Sequence, residues 1–217
     1  MRINKILIVL GEPHSTFSEI LLKYFSSIKF LKNKKKIILI GSKSLFAKQM
    51  KILKINLKKY YKSINNITEA EAKKINIINV NYNKKIISKI SSNSTKYISN
   101  CFSLALNLIK NNKKTALING PVSKKYFLKK KYLGVTEYIS KKTDSKKHVM
   151  LIYNNKLAVS PLTTHLPLKD VAKNITKKKI IINVMEIKKF YESLLNKKPN
   201  IAVLGLNPHC ETIDKFS

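Results

Sequence analysis

Apolar residues along this chain fall into two rhythms. Short continuous runs, bounded by turn residues or lysines, recur at 5–10 ("KILIVL"), 36–40 ("KIILI"), 75–80 ("INIINV") and 115–119 ("TALIN"). Runs of this length and composition predict strands buried on both faces. Between them the rhythm changes to a helical one. The stretch 17–31 puts Phe17, Ile20, Leu21, Tyr24, Phe25, Ile28 and Leu31 on one face, and a second helix is expected after Gly41 and Ser42 through Leu45 and Met50. "STKYISNCFSLALNLIKNN" sets Tyr97, Ile98, Cys101, Leu104, Ala105 and Leu108 at helical spacing, with Ser94 or Thr95 able to cap it.

Beyond Gly120-Pro121 the pattern shifts. "HVMLIY" and "KLAVS" flank Asn154-Asn155 and predict a β-hairpin. Thr176 is placed to cap a helix carrying Ile180, Val184, Ile187, Tyr191 and Leu194 on one face, and "NIAVLG" (200–205) reads as a last strand. Strands alternating with helices predict an α/β fold with a largely parallel sheet, mixed in its second half. A boundary near 120–130 divides the chain into a first α/β domain (1–125) and a second (126–217). No helix follows "NIAVLG", so the expected sheet looks incomplete at its C-terminus.

Composition narrows the class. At 217 residues and 44% apolar, the chain has the length and content for a real core. No apolar run reaches the ~20 residues of a membrane span. The N-terminus lacks a signal-peptide cleavage site, so a cytoplasmic protein is expected. Cys101 and Cys210 give no disulfide framework. The net charge of +33 suggests a polyanion partner, but Arg2 is the only arginine and the lysines are spread along the whole chain. Base reading and bidentate phosphate recognition favour arginine, so no specific nucleic-acid partner is expected. There is no Gly-rich dinucleotide fingerprint and no P-loop; "GEPHST" after the first strand lacks the glycines.

Candidate chemistry gathers past the expected strands, where open α/β sheets bind ligands. "TTHLPL" places His165 after "KLAVS", and "LNPH" places His209 after "NIAVLG". Two neutral imidazoles could share a transition metal, or each could simply bond to backbone in its loop. A catalytic site usually has three protein ligands; Asp170, Glu211 and Asp214 could supply a third, though acidic residues near a loop are usually only solvated. "INGPVSKK" bends at Asn119-Gly120-Pro121 and presents Ser123 and Lys124, a point charge for phosphate or carboxylate. "YLGVTEYIS" offers Thr136 and Glu137 beside Gly134. His14 and His148 have no evident partners in the sequence and read as structural or surface residues.

Taken together and in this order, "INGPVSKK", "LGVTEYIS", "TTHLPLKDV" and "GLNPHCE" resemble the 4-hydroxythreonine-4-phosphate dehydrogenase family of vitamin B6 synthesis. The resemblance implies an isocitrate/isopropylmalate-dehydrogenase-like two-domain α/β/α fold and a homodimer with its site at the subunit interface. It implies a divalent metal (zinc, magnesium or cobalt) on three histidines, His165 and His209 matching the first two and the third coming from the other subunit. Lys124 and Thr136 match the substrate-binding region. The implied reaction is NAD- or NADP-dependent oxidation of 4-phosphooxy-L-threonine, a small phosphorylated hydroxy-amino acid, with decarboxylation to 3-amino-2-oxopropyl phosphate.

Three departures bear on that expectation. The family's Gly-His-Thr-Glu is here Gly134-Val135-Thr136-Glu137, so one substrate-binding side chain is absent. The family's "GDPAGIGPE" is here "GEPHSTFSE" (11–19). Family chains also continue past the length of this one, with the third histidine and much of the cofactor site in that continuation. A C-terminally truncated chain, inactive alone, is therefore expected. The alternatives are a catalytically silent remnant, a lysine-rich polyanion-binding α/β protein, and a related dehydrogenase for threonate-type phosphates.

Overall fold

Leu7 and Val9 in the first strand face one way and Ile8 the other, and all three are buried. That alternation, repeated in the next strand, organises the N-terminal part of the chain. The computed structural model describes residues 3–82, 90–112, 114–129, 131–145 and 147–206. Strands β1 (Lys5–Val9), β2 (Lys36–Gly41), β3 (Tyr61–Ser63), β4 (Ile75–Asn79) and β5 (Thr115–Asn119) form one sheet in the order β3-β4-β2-β1-β5. Every pairing in it is parallel.

Helices cover both faces of this sheet. On one, Leu7, Val9, Ile38 and Ile40 pack with Tyr97, Ile98, Cys101, Phe102 and Ala105 of α4 (Thr95–Lys110). Tyr138 of α5 (Val135–Lys142) belongs to the same cluster. On the other face, Ile8, Ile37, Leu39, Ile75 and Ile77 pack with Leu21, Leu22 and Phe25 of α1 (Phe17–Phe25). Phe30 of α2 (Ile28–Lys32) and Phe46 of α3 (Lys43–Ile52) complete that layer. The two-sided burial explains the apolar runs of β1, β2 and, apart from one interior residue, β4. Asn76 is the polar exception inside β4. It is fully buried and satisfied, its Nδ2 donating to the Ile37 carbonyl at 2.8 Å and its Oδ1 accepting from the Glu71 N–H at 3.0 Å.

Several expectations are corrected. The single helix over 17–31 is two helices. Ser26 Oγ donates to the Leu22 carbonyl at 2.9 Å and Ser27 Oγ to the Tyr24 carbonyl at 2.6 Å. Hydroxyls that take backbone acceptors in this way favour a break. Ile20 and Ile28 are consequently exposed, although the helical period put them on the apolar face. β3, polar and only three residues long, has no signature in the apolar pattern.

The chain divides into two compact units, Arg2–Thr143 and a second from Asp144 onward. The division falls after α5 and not at 125–126, because Phe127, Leu128 and Tyr138 are core residues of the first unit. The second unit contains α6 (Leu168–Asn174), α7 (Lys177–Phe190) and a π-helical turn, Tyr191–Leu195. Thr176 caps α7 as expected, its side chain accepting from the Lys179 N–H at 3.3 Å. The expected hairpin is reduced to one antiparallel bridge, Ile152 with Val159. "NIAVLG" is not a strand: no pairing involves Ile201–Gly205, and Ile201, Val203 and Leu204 are exposed. A strand exists only where another supplies its hydrogen bonds, and the described residues supply none here. None of the described residues in this unit is buried.

Candidate functional site

The C-terminal edge of the sheet is built on three glycines that let backbone and side chains approach closely. Gly11, just past β1, has φ +70, and a Cβ there would lie 2.4 Å from the Pro121 carbonyl oxygen. A Cβ on Gly120, just past β5, would lie 2.5 Å from the Leu10 carbonyl oxygen. At Gly41, which ends β2, a Cβ would meet the Tyr97 hydroxyl at 2.8 Å. Backbone bonds stitch the same edge: Gly120 N–H to Val9 O at 2.7 Å, and Glu12 N–H to Pro121 O at 2.8 Å. β1 lies between β2 and β5, so the chain's path changes direction at β1, the position where open α/β sheets form their crevice.

Three polar groups missed by the sequence reading occupy this edge. Glu12 is 3% exposed, and its Oε2 accepts a 2.7 Å hydrogen bond from Ser94 Oγ. Ser94 precedes α4 but does not cap it, because its hydroxyl is committed to Glu12. The Tyr97 hydroxyl accepts the Ser42 N–H at 2.9 Å. Burial pushes the Tyr97 hydroxyl well above the ordinary phenol range and the Cys101 thiol up to about 12. Tyr82, whose ring meets that of Tyr97 at 5.1 Å, is also raised, by burial first and then by the negative charge of Glu12. The available signal was an acidic residue between glycine and proline directly after an apolar strand.

Of the expected substrate residues, Lys124 opens a π-helical turn, Lys124–Leu128, that follows β5. Ser123 supports that turn by accepting the Tyr126 N–H at 3.1 Å. Lys124 is exposed, as are Lys125, Lys129 and Lys131 around it, giving this segment a strong local positive charge. Thr136 is half-buried in the first turn of α5. Glu137 lies beside the N-cap glycine of that helix, its Oε2 only 3.0 Å from where a Cβ on Gly134 would stand. Val135, the first residue of α5, offers no polar group. Lys124 and Thr136 thus belong to one unit, in consecutive elements after β5.

His165 belongs to the other unit. It is exposed and adopts a left-handed backbone, φ 57, in the loop before α6. Left-handed backbone is uncommon for a residue with a Cβ, though histidine tolerates it better than most. The strand expected to carry it is the single bridge at Val159. His209 and Cys210 lie outside the described residues, as do Glu211 and Asp214. Among the described residues no three His, Cys, Asp or Glu side chains come together as a metal-binding group. Asp170 lies in the first turn of α6. No helix among the described residues is long and apolar enough to cross a membrane.

Residues 33–212 match the family model of the pyridoxal phosphate biosynthetic protein PdxA. A 4-hydroxythreonine-4-phosphate dehydrogenase from Sulfurihydrogenibium sp. is 36% identical over 210 residues, covering 94% of this chain and 63% of that protein. One from Aquifex aeolicus is 32% identical over 209 residues, covering 95% and 63%. The crystal structure of a 4-hydroxythreonine-4-phosphate dehydrogenase from Klebsiella pneumoniae superimposes with a TM-score of 0.81 at 20% identity, covering 95% of this chain and 65% of that one. The likeness extends the α/β fold class to nearly the whole chain. The chain spans 63% of the length of these two curated relatives.

Proposed function

Because the chain belongs to the pyridoxal phosphate biosynthetic protein PdxA family, we propose that it contributes part of an NAD- or NADP-dependent 4-hydroxythreonine-4-phosphate dehydrogenase. The reaction is oxidation of the C3 hydroxyl of 4-phosphooxy-L-threonine, followed by loss of carbon dioxide to give 3-amino-2-oxopropyl phosphate. The supporting observation is the place of Ser123-Lys124, directly beyond the C-terminal end of a parallel strand and inside a cluster of exposed lysines. An ammonium there meets an anionic substrate as a point charge, and the Thr136 hydroxyl supplies a directional hydrogen bond. His165 and His209 are the proposed ligands of a divalent metal, which when bound polarises the substrate hydroxyl. The described residues contain one of these ligands. Binding and orienting the phosphorylated substrate are the roles assigned to Lys124 and Thr136, in a homodimer whose site is completed across the interface.

Calorimetric titration with 4-phosphooxy-L-threonine tests this reading. A hydrogen bond to a charged group contributes about 1.5–3 kcal/mol, so Lys124→Ala should weaken binding by roughly 10- to 150-fold at unchanged thermal stability. Equal affinity in the two proteins would remove Lys124 from the site. Val135 favours one second reading, a dehydrogenase of threonate-type phosphates, since a residue without a polar group stands where the family has a histidine. Tighter binding of a threonate phosphate in the same titration would select it.

A further inference from the structure

We propose that the buried carboxylate of Glu12 forms one wall of a monovalent-cation site at the C-terminal edge of the sheet. Glu12 is 3% exposed, and one of its two oxygens is satisfied by Ser94. The other, Oε1, is buried and has no hydrogen-bond partner. The chain carries 44 Lys and Arg against 11 acidic residues, yet no ion pair among the described residues involves Glu12. A buried carboxylate left bare is costly, so a group beyond the described residues is expected to compensate it.

The adjoining space identifies the occupant. A cavity of about 10 Å³ lies beside Glu12 and is also lined by Pro13, Ser15, Ser18, Gln49 and Tyr97. That is room for one water-sized particle and excludes any substrate or nucleotide fragment. The polar groups at hand are oxygens. Gln49 spends its Nε2 on the Pro13 carbonyl at 3.2 Å, leaving its amide oxygen as an acceptor. Ser15 Oγ donates to the Glu12 carbonyl at 2.8 Å and accepts the Phe17 N–H at 3.4 Å, which leaves it one lone pair. Carboxylate, amide and hydroxyl oxygens are the ligands of hard cations. One carboxylate among neutral groups balances a single positive charge; a divalent ion would leave a net charge buried, which is unfavourable. Sodium, potassium or ammonium fits both the volume and the charge.

The test is thermal unfolding of the full chain in sodium, potassium, ammonium or choline chloride at matched ionic strength. At least one small cation should raise Tm saturably over choline, by roughly 3–6 °C at ten times its apparent Kd. Glu12→Gln, which keeps the shape and removes the charge, should abolish the difference. Should that variant fail to fold, Ser18→Ala should weaken the apparent cation affinity severalfold. Equal Tm in all four salts would overturn the proposal in favour of a water molecule or a protonated carboxyl. An undiminished response in Glu12→Gln, or in Ser18→Ala where that variant stands in, would overturn it by placing the cation elsewhere.

Discussion

Ending the polypeptide at Lys125 should abolish folding of the N-terminal unit, whereas ending it at Thr143 should leave a cooperative domain. The two differ by the segment that carries Phe127, Leu128 and Tyr138, which are 8%, 1% and 5% exposed. Phe127 stacks on Phe102 of α4 with ring centroids 5.7 Å apart, and Tyr138 meets the same ring edge-on at 5.3 Å. Phe127 and Tyr138 also contact each other at 5.0 Å. Burying each such side chain contributes about 1.5–3 kcal/mol, so the three together contribute roughly 5–9 kcal/mol. Aromatic pairs add ~0.5–1.5 kcal/mol each. Domains of this size are stable by only about 5–15 kcal/mol in total, so the loss is of the same order as the whole. Urea unfolding followed by near- and far-ultraviolet circular dichroism distinguishes the two polypeptides. The longer should give coincident transitions, and the shorter should lack near-ultraviolet signal before urea is added. A shorter polypeptide with the same midpoint and slope would refute the assignment of 126–143 to this core.

Two further outcomes follow from the same edge and core. Gly11→Ala should destabilise by more than about 2 kcal/mol, since it adds a Cβ at φ +70 against the Pro121 carbonyl; a urea midpoint unchanged from wild type would contradict the contact. Cys101 is raised from 9.0 to about 12 and Tyr61 from 10.0 to about 12, both by burial. Raised folded-state values contribute stability that is complete below the unfolded pKa and lost as pH rises through the folded one. The urea midpoint should therefore fall steadily from about pH 9 toward 12; a flat profile over that window would show that these groups ionise as freely in the folded chain as in the unfolded one.

The sheet was legible wherever burial on both sides left an apolar run, as in β1, β2 and, despite Asn76, β4. β3 was not, because Tyr61, Lys62 and Ser63 owe their strand to pairing with β4 and not to their own pattern. "KLAVS" and "NIAVLG" show the converse. Their pattern is right for strands, but pairing is a property of the partner, and no sequence window contains it. At the candidate site, Lys124 and Thr136 could be read because each follows a strand or a glycine turn. Glu12 could not, because its meaning comes from Ser94, 82 residues away. The left-handed backbone of His165 was equally invisible, since histidine carries no local requirement for it.

The two margins of the sheet are unlike each other, and this difference bears on the protein's colloidal behaviour. β3 is short and places Lys62, hydrogen-bonded to Glu71, along its edge. β5 is a five-residue "TALIN" with no charged side chain, with Ile118 45% exposed, and no strand among the described residues pairs with its outer side. An uncharged open edge is a template for another strand. What restrains it is not local but global: a charge of +33 makes every pair of molecules repel. That restraint reaches about 10 Å at 0.1 M salt and only about 3 Å at 1 M. Dispersion of this chain therefore depends on the ionic medium more than on the shape of its surface, and salt removes the restraint while leaving the adhesive margin intact.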